Sequence, residues 1–327
     1  MKLAMTTCNG RVLGALTALT LVLAAAPTQA EKLSEPIYRV AYETPAAQQS
    51  PTTQSAAPST AAAVATPAPA EPAAAPVPAR PAAAAIASAP FDLAQQPGEH
   101  PLAPVLRALK ATQEEIDRNV HDYCCTLVKQ ERVDGTLGEQ QHIFMKVMNQ
   151  PFSVYMSFLK PFAGREVLYV NGQNEGKMVV LEAGFKRMLG KMNLDPNGTL
   201  AMSGQKHPIT DVGIRNLTAK LSKMWEAETK FAECEVTTKS DAKFNGRSAT
   251  MIQVVHPIAR QDFRFHYSRL FLDNELKVPI LFDGYLWPEQ TGGEPPLDEI
   301  YMYTNLKLNN GYTAREFDAA NPELFKK

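Results

Sequence analysis

His207 and Asp211 are the sharpest chemical pair in this 327-residue sequence. A histidine and a carboxylate in a loop before a helix could move a proton at a bound substrate. A hydrolase would also need a nucleophile and a site for the oxyanion. The sequence nominates neither, and it holds no G-x-S-x-G, H-E-x-x-H, P-loop or G-x-G-x-x-G pattern. The plainer reading is a turn histidine and a carboxylate favoured by the positive end of a helix dipole. The other histidines are scattered. His100, His207 and His256 each precede proline, which biases them toward extended backbone. No acid or cysteine stands at metal-ligand spacing from them. The expectation is a protein that is not an enzyme, with no catalytic residue, no metal and no cofactor.

Two further groups of charges carry alternatives. Lys186, Arg187 and Lys191 interleave with Met188, Leu189 and Met192. They form either a basic rim on an apolar mouth, suited to an anionic lipid-like ligand, or a sheet edge blunted by charge. Glu131, Glu166 and Glu182 lie in or beside strands. They are either paired carboxylates or the solvated face of a sheet.

The elements that must position these residues begin at Glu99. Val105, Leu109, Thr112, Ile116 and Val120 recur at helical spacing. Strands follow: 123–132, a turn at Asp134-Gly135, and a return over 140–148. Ile143, Met145 and Val147 share one face, as do Phe152, Val154, Met156 and Phe158 on the next strand. Residues 167–170 and 178–181 continue the meander. Thr210 or Asp211 is placed to cap a second helix with the stripe Ile214, Leu217, Leu221, Met224 and Trp225. Strands resume on both sides of Asn245-Gly246. Phe263, Phe265, Tyr267 and Phe271 alternate on the next one, and 278–286, 300–308 and an end around Phe317 close the pattern. The order predicts an α+β fold: one strongly curved antiparallel sheet, an unclosed barrel, with helices on its concave face.

The apolar faces exceed what one short helix covers. The expected ligand-binding set is therefore Ile143, Met145, Val154, Met156, Phe158, Phe263 and Phe265 on the sheet, under Leu217, Leu221 and Trp225 as a lid. The same residues could fill a solid core, which is the commoner role for any one of them.

Residues 1–30 read as a secretory signal peptide. Lys2 and Arg11 precede an apolar run, 12–26, that is too short for a good membrane span, and Thr28-Gln29-Ala30 offers small residues at a cleavage site. An uncleaved anchor is the alternative. Residues 31–98 read as a disordered tether, rich in Ala and Pro and unable to build a core. The expected location is the periplasm or outside the cell, with no stable transmembrane segment in the mature chain. The remaining residues, 99–327, suit one domain. Residues 1–98 hold five of the chain's 33 basic and five of its 34 acidic residues, leaving 28 and 29 in the domain. A nucleic-acid partner is set aside for want of a basic excess. Cys124, Cys125 and Cys234 allow one disulfide in an oxidising compartment. A Cys125–Cys234 pair is expected, because Cys125 shares the face of Tyr123 and Leu127.

Three stretches resemble a family of secreted bacterial proteins known as a domain of unknown function. They are 125–132 (CTLVKQER), 207–213 (HPITDVG) and 301–322, with Tyr301, Tyr303, Leu306, Asn309, Gly311, Thr313, Phe317-Asp318 and Asn321-Pro322. More remotely, the order of elements and Leu272-Asp273 followed by Val278-Pro279 resemble the lipoprotein-carrier (LolA/LolB-like) fold. That resemblance implies helices closing an apolar cavity that accepts acyl chains. Two functions follow as expectations. The first is an envelope binding or carrier protein for an apolar, acyl-chain-like ligand, with a lipid or lipoprotein acyl chain as partner. The second is an interaction or scaffold domain that binds another envelope protein.

Overall fold

The computed structural model describes residues 90–290 and 292–326. Residues 1–30, read as a signal peptide, and 31–89, read as part of a tether, lie outside the described residues. Composition placed the start of the domain at Glu99, but Phe91 and Leu93 already pack against the core and the Pro90 carbonyl accepts a hydrogen bond from Lys277 Nζ at 3.0 Å. These two large apolar residues give the end of the biased stretch something to bury.

Helix α1, Ala103–Asn119, buries Val105, Leu109, Thr112 and Ile116, the stripe read from the sequence. The strands are β1 (Asp122–Val133), β2 (Thr136–Leu137), β3 (Gln141–Met148), β4 (Ser153–Lys160), β5 (Glu166–Val170), β6 (Met178–Leu181) and β7 (Lys191–Leu194). A short helix α2 (Thr199–Met202) and the long α3 (Ile214–Glu228) follow, then β8 (Glu235–Phe244), β9 (Arg247–Val255), β10 (Tyr267–Asp273), β11 (Pro279–Tyr285) and β12 (Leu297–Leu308). All twelve strands belong to one antiparallel sheet in the order β7-β6-β5-β4-β3-β1-β12-β11-β10-β9-β8, with β2 paired to β1 alone. The sheet is curved and not closed, and the fold class is the expected α+β unclosed barrel. First and last strands pair at its centre, Leu127 opposite Tyr303.

Alternation along β1, β3 and β4 puts Tyr123, Cys125, Leu127, Ile143, Met145, Val147 and Val154 in one core with α1 and α3. β5 and β6 are buried on both faces. Their other face, with Leu168, Val170, Val179 and Leu181, packs against Phe317, Leu324 and Phe325 of the C-terminal segment. Continuous apolar runs, VLYV and MVVL, are the sequence of strands covered on both sides. At the exposed edge strand β8, Lys239 and Lys243 face solvent, which opposes edge-to-edge pairing.

Three expectations need correction. Cys125 and Cys234 are both free thiols. Cys234 precedes β8, five strand steps from β1 in the sheet, and steps of about 4.8 Å put the two thiols far beyond the Cα separation of roughly 4.4–6.8 Å that a bridge needs. Neither Thr210 nor Asp211 caps α3; both sit in a separate 3₁₀ turn, Ile209–Asp211, and Gly213 occupies the cap. The acids on the strands do not face water: Glu131 and Glu166 are buried.

Candidate functional site

The helices divide the concave face unequally. α3 packs on α1 and over β11, and together they fill the half of the sheet around β12, β11 and β10. Over the other half the wall is the connection between β7 and α3, residues 195–213, and it does not fill the space. A cavity of about 440 Å³ remains, within the range of small-molecule sites. Its floor comes from alternate residues of β1, β4, β5 and β6: Leu127, Met156, Phe158, Val167, Met178 and Val180, with Ile143 from β3. Met192 and Leu194 of β7 continue the sheet side, and Leu200, Ile209 and Val212 form the opposing wall. Sixteen of its 23 lining residues are apolar, so an apolar occupant fits it. Three of the sixteen are methionines, whose flexible thioethers adapt to varied shapes.

Of the ten residues expected to bind ligand, Ile143, Met156 and Phe158 line this cavity. The other seven do not. Met145 and Val154 point into the same core but are fully covered. Leu217, Leu221 and Trp225 are packed into the solid core under α3, so α3 is not the lid. Phe263 and Phe265 lie before β10, not on it. Phe263 stacks on His256 at 4.0 Å, and Phe265 lies over Gly284, where a Cβ would meet its ring at 2.4 Å. The wall of 195–212 was missed because its apolar residues follow no helical or strand period. The signal that could have found it is the group Leu200, Ile209 and Val212 after the turn sequence Asp195-Pro196-Asn197-Gly198.

One end of the cavity is polar. Lys129 lines it with Gln205 and His207. The Lys129 ammonium donates to Glu131 Oε2 at 3.0 Å and to Gln205 Oε1 at 2.6 Å. Glu131 also accepts from the Tyr301 hydroxyl at 2.6 Å and the Lys206 backbone N–H at 3.0 Å. Burial would raise its pKa, but Lys129 and these hydrogen bonds outweigh that and hold it below the usual value. His207 does not pair with Asp211. Its Nε2 donates to Glu299 Oε2 at 2.9 Å, and its Nδ1 accepts from Lys220 Nζ at 2.7 Å. Arg264 donates to the same Glu299 oxygen at 2.7 Å, while Lys206 pairs with Asp298. Burial alone would raise Glu299; His207, Arg264 and Lys206 hold it low instead. Asp211 meets Lys220 at 3.6 Å. Both His207 ring nitrogens are therefore committed to protein partners. Among the described residues, no group of three or more His, Cys, Asp or Glu side chains is placed to hold a metal ion.

The basic and apolar residues 186–192 stand at the cavity mouth. Lys186, Leu189 and Met192 line it. Phe185, Met188 and Leu189 of the 3₁₀ turn Gly184–Leu189 are 86%, 80% and 70% exposed. The turn is fixed from behind. Arg187 donates to the Gly164 carbonyl at 2.6 Å and approaches Glu166 at 3.5 Å, and Arg165 pairs with Glu182 at 2.9 Å.

The chain is thus an open antiparallel sheet with an apolar cavity under one connecting segment. It belongs to the family described as "Protein of unknown function (DUF1571)", which matches residues 120–324. That span contains all three stretches on which the family resemblance was read. Among solved structures, the lipoprotein LppX of Mycobacterium tuberculosis is similar at 13% identity, covering 66% of this chain and 100% of that one, with a TM-score of 0.36. A DUF1329 family protein from Desulfovibrio piger is 8% identical over 68% of this chain and 98% of that one, with a TM-score of 0.34. A LolA superfamily protein from Nitrosomonas europaea is 7% identical over 65% and 97%, with a TM-score of 0.20. No curated protein matches the chain. Among the described residues, no helix is long and apolar enough to cross a membrane.

Proposed function

We propose that the chain is a non-catalytic binding or carrier protein of the cell envelope that holds the acyl tail of an amphipathic ligand in this cavity. The observation that carries the reading is the cavity itself, about 440 Å³ with sixteen apolar residues among 23. The polar end suits the ligand's head. Lys129 has three N–H donors and two protein acceptors among the described residues, which leaves one for a carboxylate or phosphate. A binding role agrees with His207, whose ring nitrogens are both engaged. The export reading of residues 1–30 supplies the compartment. The alternative, a scaffold domain for another envelope protein, draws its support from the exposed apolar turn 184–189.

The test is displacement of a fluorescent fatty acid from the full chain by unlabelled fatty acid. Saturable binding at micromolar or tighter affinity is expected, at least about 8 kcal/mol of binding free energy. Met156→Trp, which fills the floor, should weaken it at least roughly tenfold while the variant still unfolds cooperatively. Leu217→Ala should cost about 2–5 kcal/mol of stability and leave the affinity unchanged, because Leu217 belongs to the core and not to the cavity. No saturable binding by the folded chain would remove the carrier reading.

A further inference from the structure

We propose that the turn Gly184–Leu189 is a docking tip that enters the surface of an anionic lipid bilayer and sets the cavity mouth against it. The proposal takes its purpose from the carrier reading, but its geometry and its test stand apart from it. Large apolar side chains exposed by 70–86% are rare in a soluble domain, and here three of them fall within five residues. In a 3₁₀ turn, residues i and i+3 lie over each other, so Phe185 and Met188 form one edge and Leu189 extends it. The neighbouring end of β4 and its turn into β5, tied to this one by Arg187 and the Gly164 carbonyl, add Leu159 at 50% and Phe162 at 38% exposure.

The two turns themselves carry charge of one sign. Between residues 159 and 165 and between 183 and 192 there are Lys160, Arg165, Lys186, Arg187 and Lys191, and no Asp or Glu. The flanking acids Glu166 and Glu182 are turned to Arg187 and Arg165. Among the described residues Lys160 and Lys186 have no ion-pair partner. Apolar side chains among unpaired cations match an anionic interface, where each Lys or Arg near the surface adds about 1 kcal/mol. A bilayer needs no matching groove, and the cations around the tip favour an anionic one.

The test is co-sedimentation of the full chain with phosphatidylcholine vesicles, with and without phosphatidylglycerol, in low salt and in roughly 1 M salt, where screening is nearly complete. Binding is expected only to the vesicles containing phosphatidylglycerol, and to fall in high salt. Phe185→Ser with Met188→Ser should reduce vesicle binding roughly tenfold or more. Neither residue lines the cavity, so fatty-acid displacement without vesicles should be unchanged in the double variant. Lys186→Glu should weaken vesicle binding several-fold through its two units of charge. No vesicle binding in low salt, equal binding to neutral and anionic vesicles, or undiminished binding by the double variant would overturn the proposal and leave the tip to a protein partner. The displacement titration reads the cavity separately, so failure of the tip and failure of the carrier reading are distinguishable.

Discussion

Glu228 and His256 face each other inside the core, 3% and 2% exposed, with Glu228 Oε2 3.5 Å from His256 Nε2. His256 Nδ1 is held by the Phe265 carbonyl at 3.2 Å, so Nδ1 donates and Nε2 is left as an acceptor. Neither Oε2 nor Nε2 has a hydrogen-bond partner among the described residues. Burial raises Glu228 to about 7, and burial lowers His256. Below that pH Glu228 is a neutral carboxylic acid, facing the lone pair of an imidazole that burial holds toward its neutral form. The nearby titratable groups are Cys234, whose thiol burial pushes up to about 11, and His266, which lowers His256 further. A folded pKa above the unfolded 4.5 means that stability from Glu228 is full below about 4.5 and lost as pH rises through about 7. The whole shift is worth on the order of 3 kcal/mol. The lowered His256 acts in the opposite sense, its contribution falling away only in acid. Glu228→Gln should therefore gain stability over the wild type near pH 8 by about 2–3 kcal/mol and gain little near pH 5. Urea unfolding at the two pH values checks this, and parallel pH profiles would contradict it. The pair was not legible in the sequence, because its members are 28 positions apart on elements whose packing only the fold decides.

The elements show where local pattern is sufficient. The stripe of α1, the Asp134-Gly135 and Asn245-Gly246 turns and the alternation on β3 and β4 each follow from short-range spacing, and the structure has them. What spacing missed is non-local. The start of α3 carries Thr210 and Asp211, both good caps by type. Yet its first free N–H, on Ile214, donates to the Tyr123 hydroxyl at 3.0 Å, 91 residues earlier on β1. Gly213 makes room for that phenol: it has φ +106°, and a Cβ there would meet the Tyr123 oxygen at 2.6 Å. Tyr123→Phe keeps the packing and strands a buried N–H, at a cost of about 1–3 kcal/mol. Gly213→Ala should cost at least as much, because it adds backbone strain to the clash. Denaturant midpoints with unchanged slopes would confirm both. A Tyr123→Phe variant as stable as the wild type would contradict this account of the cap. Phe263 and Phe265 failed for a related reason. They alternate like a strand, but their rings are taken up by His256 and Gly284 before β10 begins.

At the scale of the molecule, sheet order decides what the cavity is. β1 pairs with β12, so the two halves of the chain meet along one seam. α1 and α3 fill the sheet beside that seam toward β11, and the space toward β6 is left to the aperiodic wall of 195–212. The sequence held the apolar floor at Ile143, Met156 and Phe158 but assigned the lid to α3, because α3 has a helical period and 195–212 has none. The back of the same floor is closed by Phe317, Leu324 and Phe325, which keeps β5 and β6 fixed behind an unfilled space. The central claim is that this space holds one acyl-bearing amphiphile. Native mass spectrometry of the chain, purified without denaturant from the cells that make it, tests that most directly. The account predicts a bound species of lipid mass at one per chain, released as free acyl lipid on activation and missing from Met156→Trp. A wild-type chain that flies only at its bare mass, or with a second protein and no lipid, would contradict it.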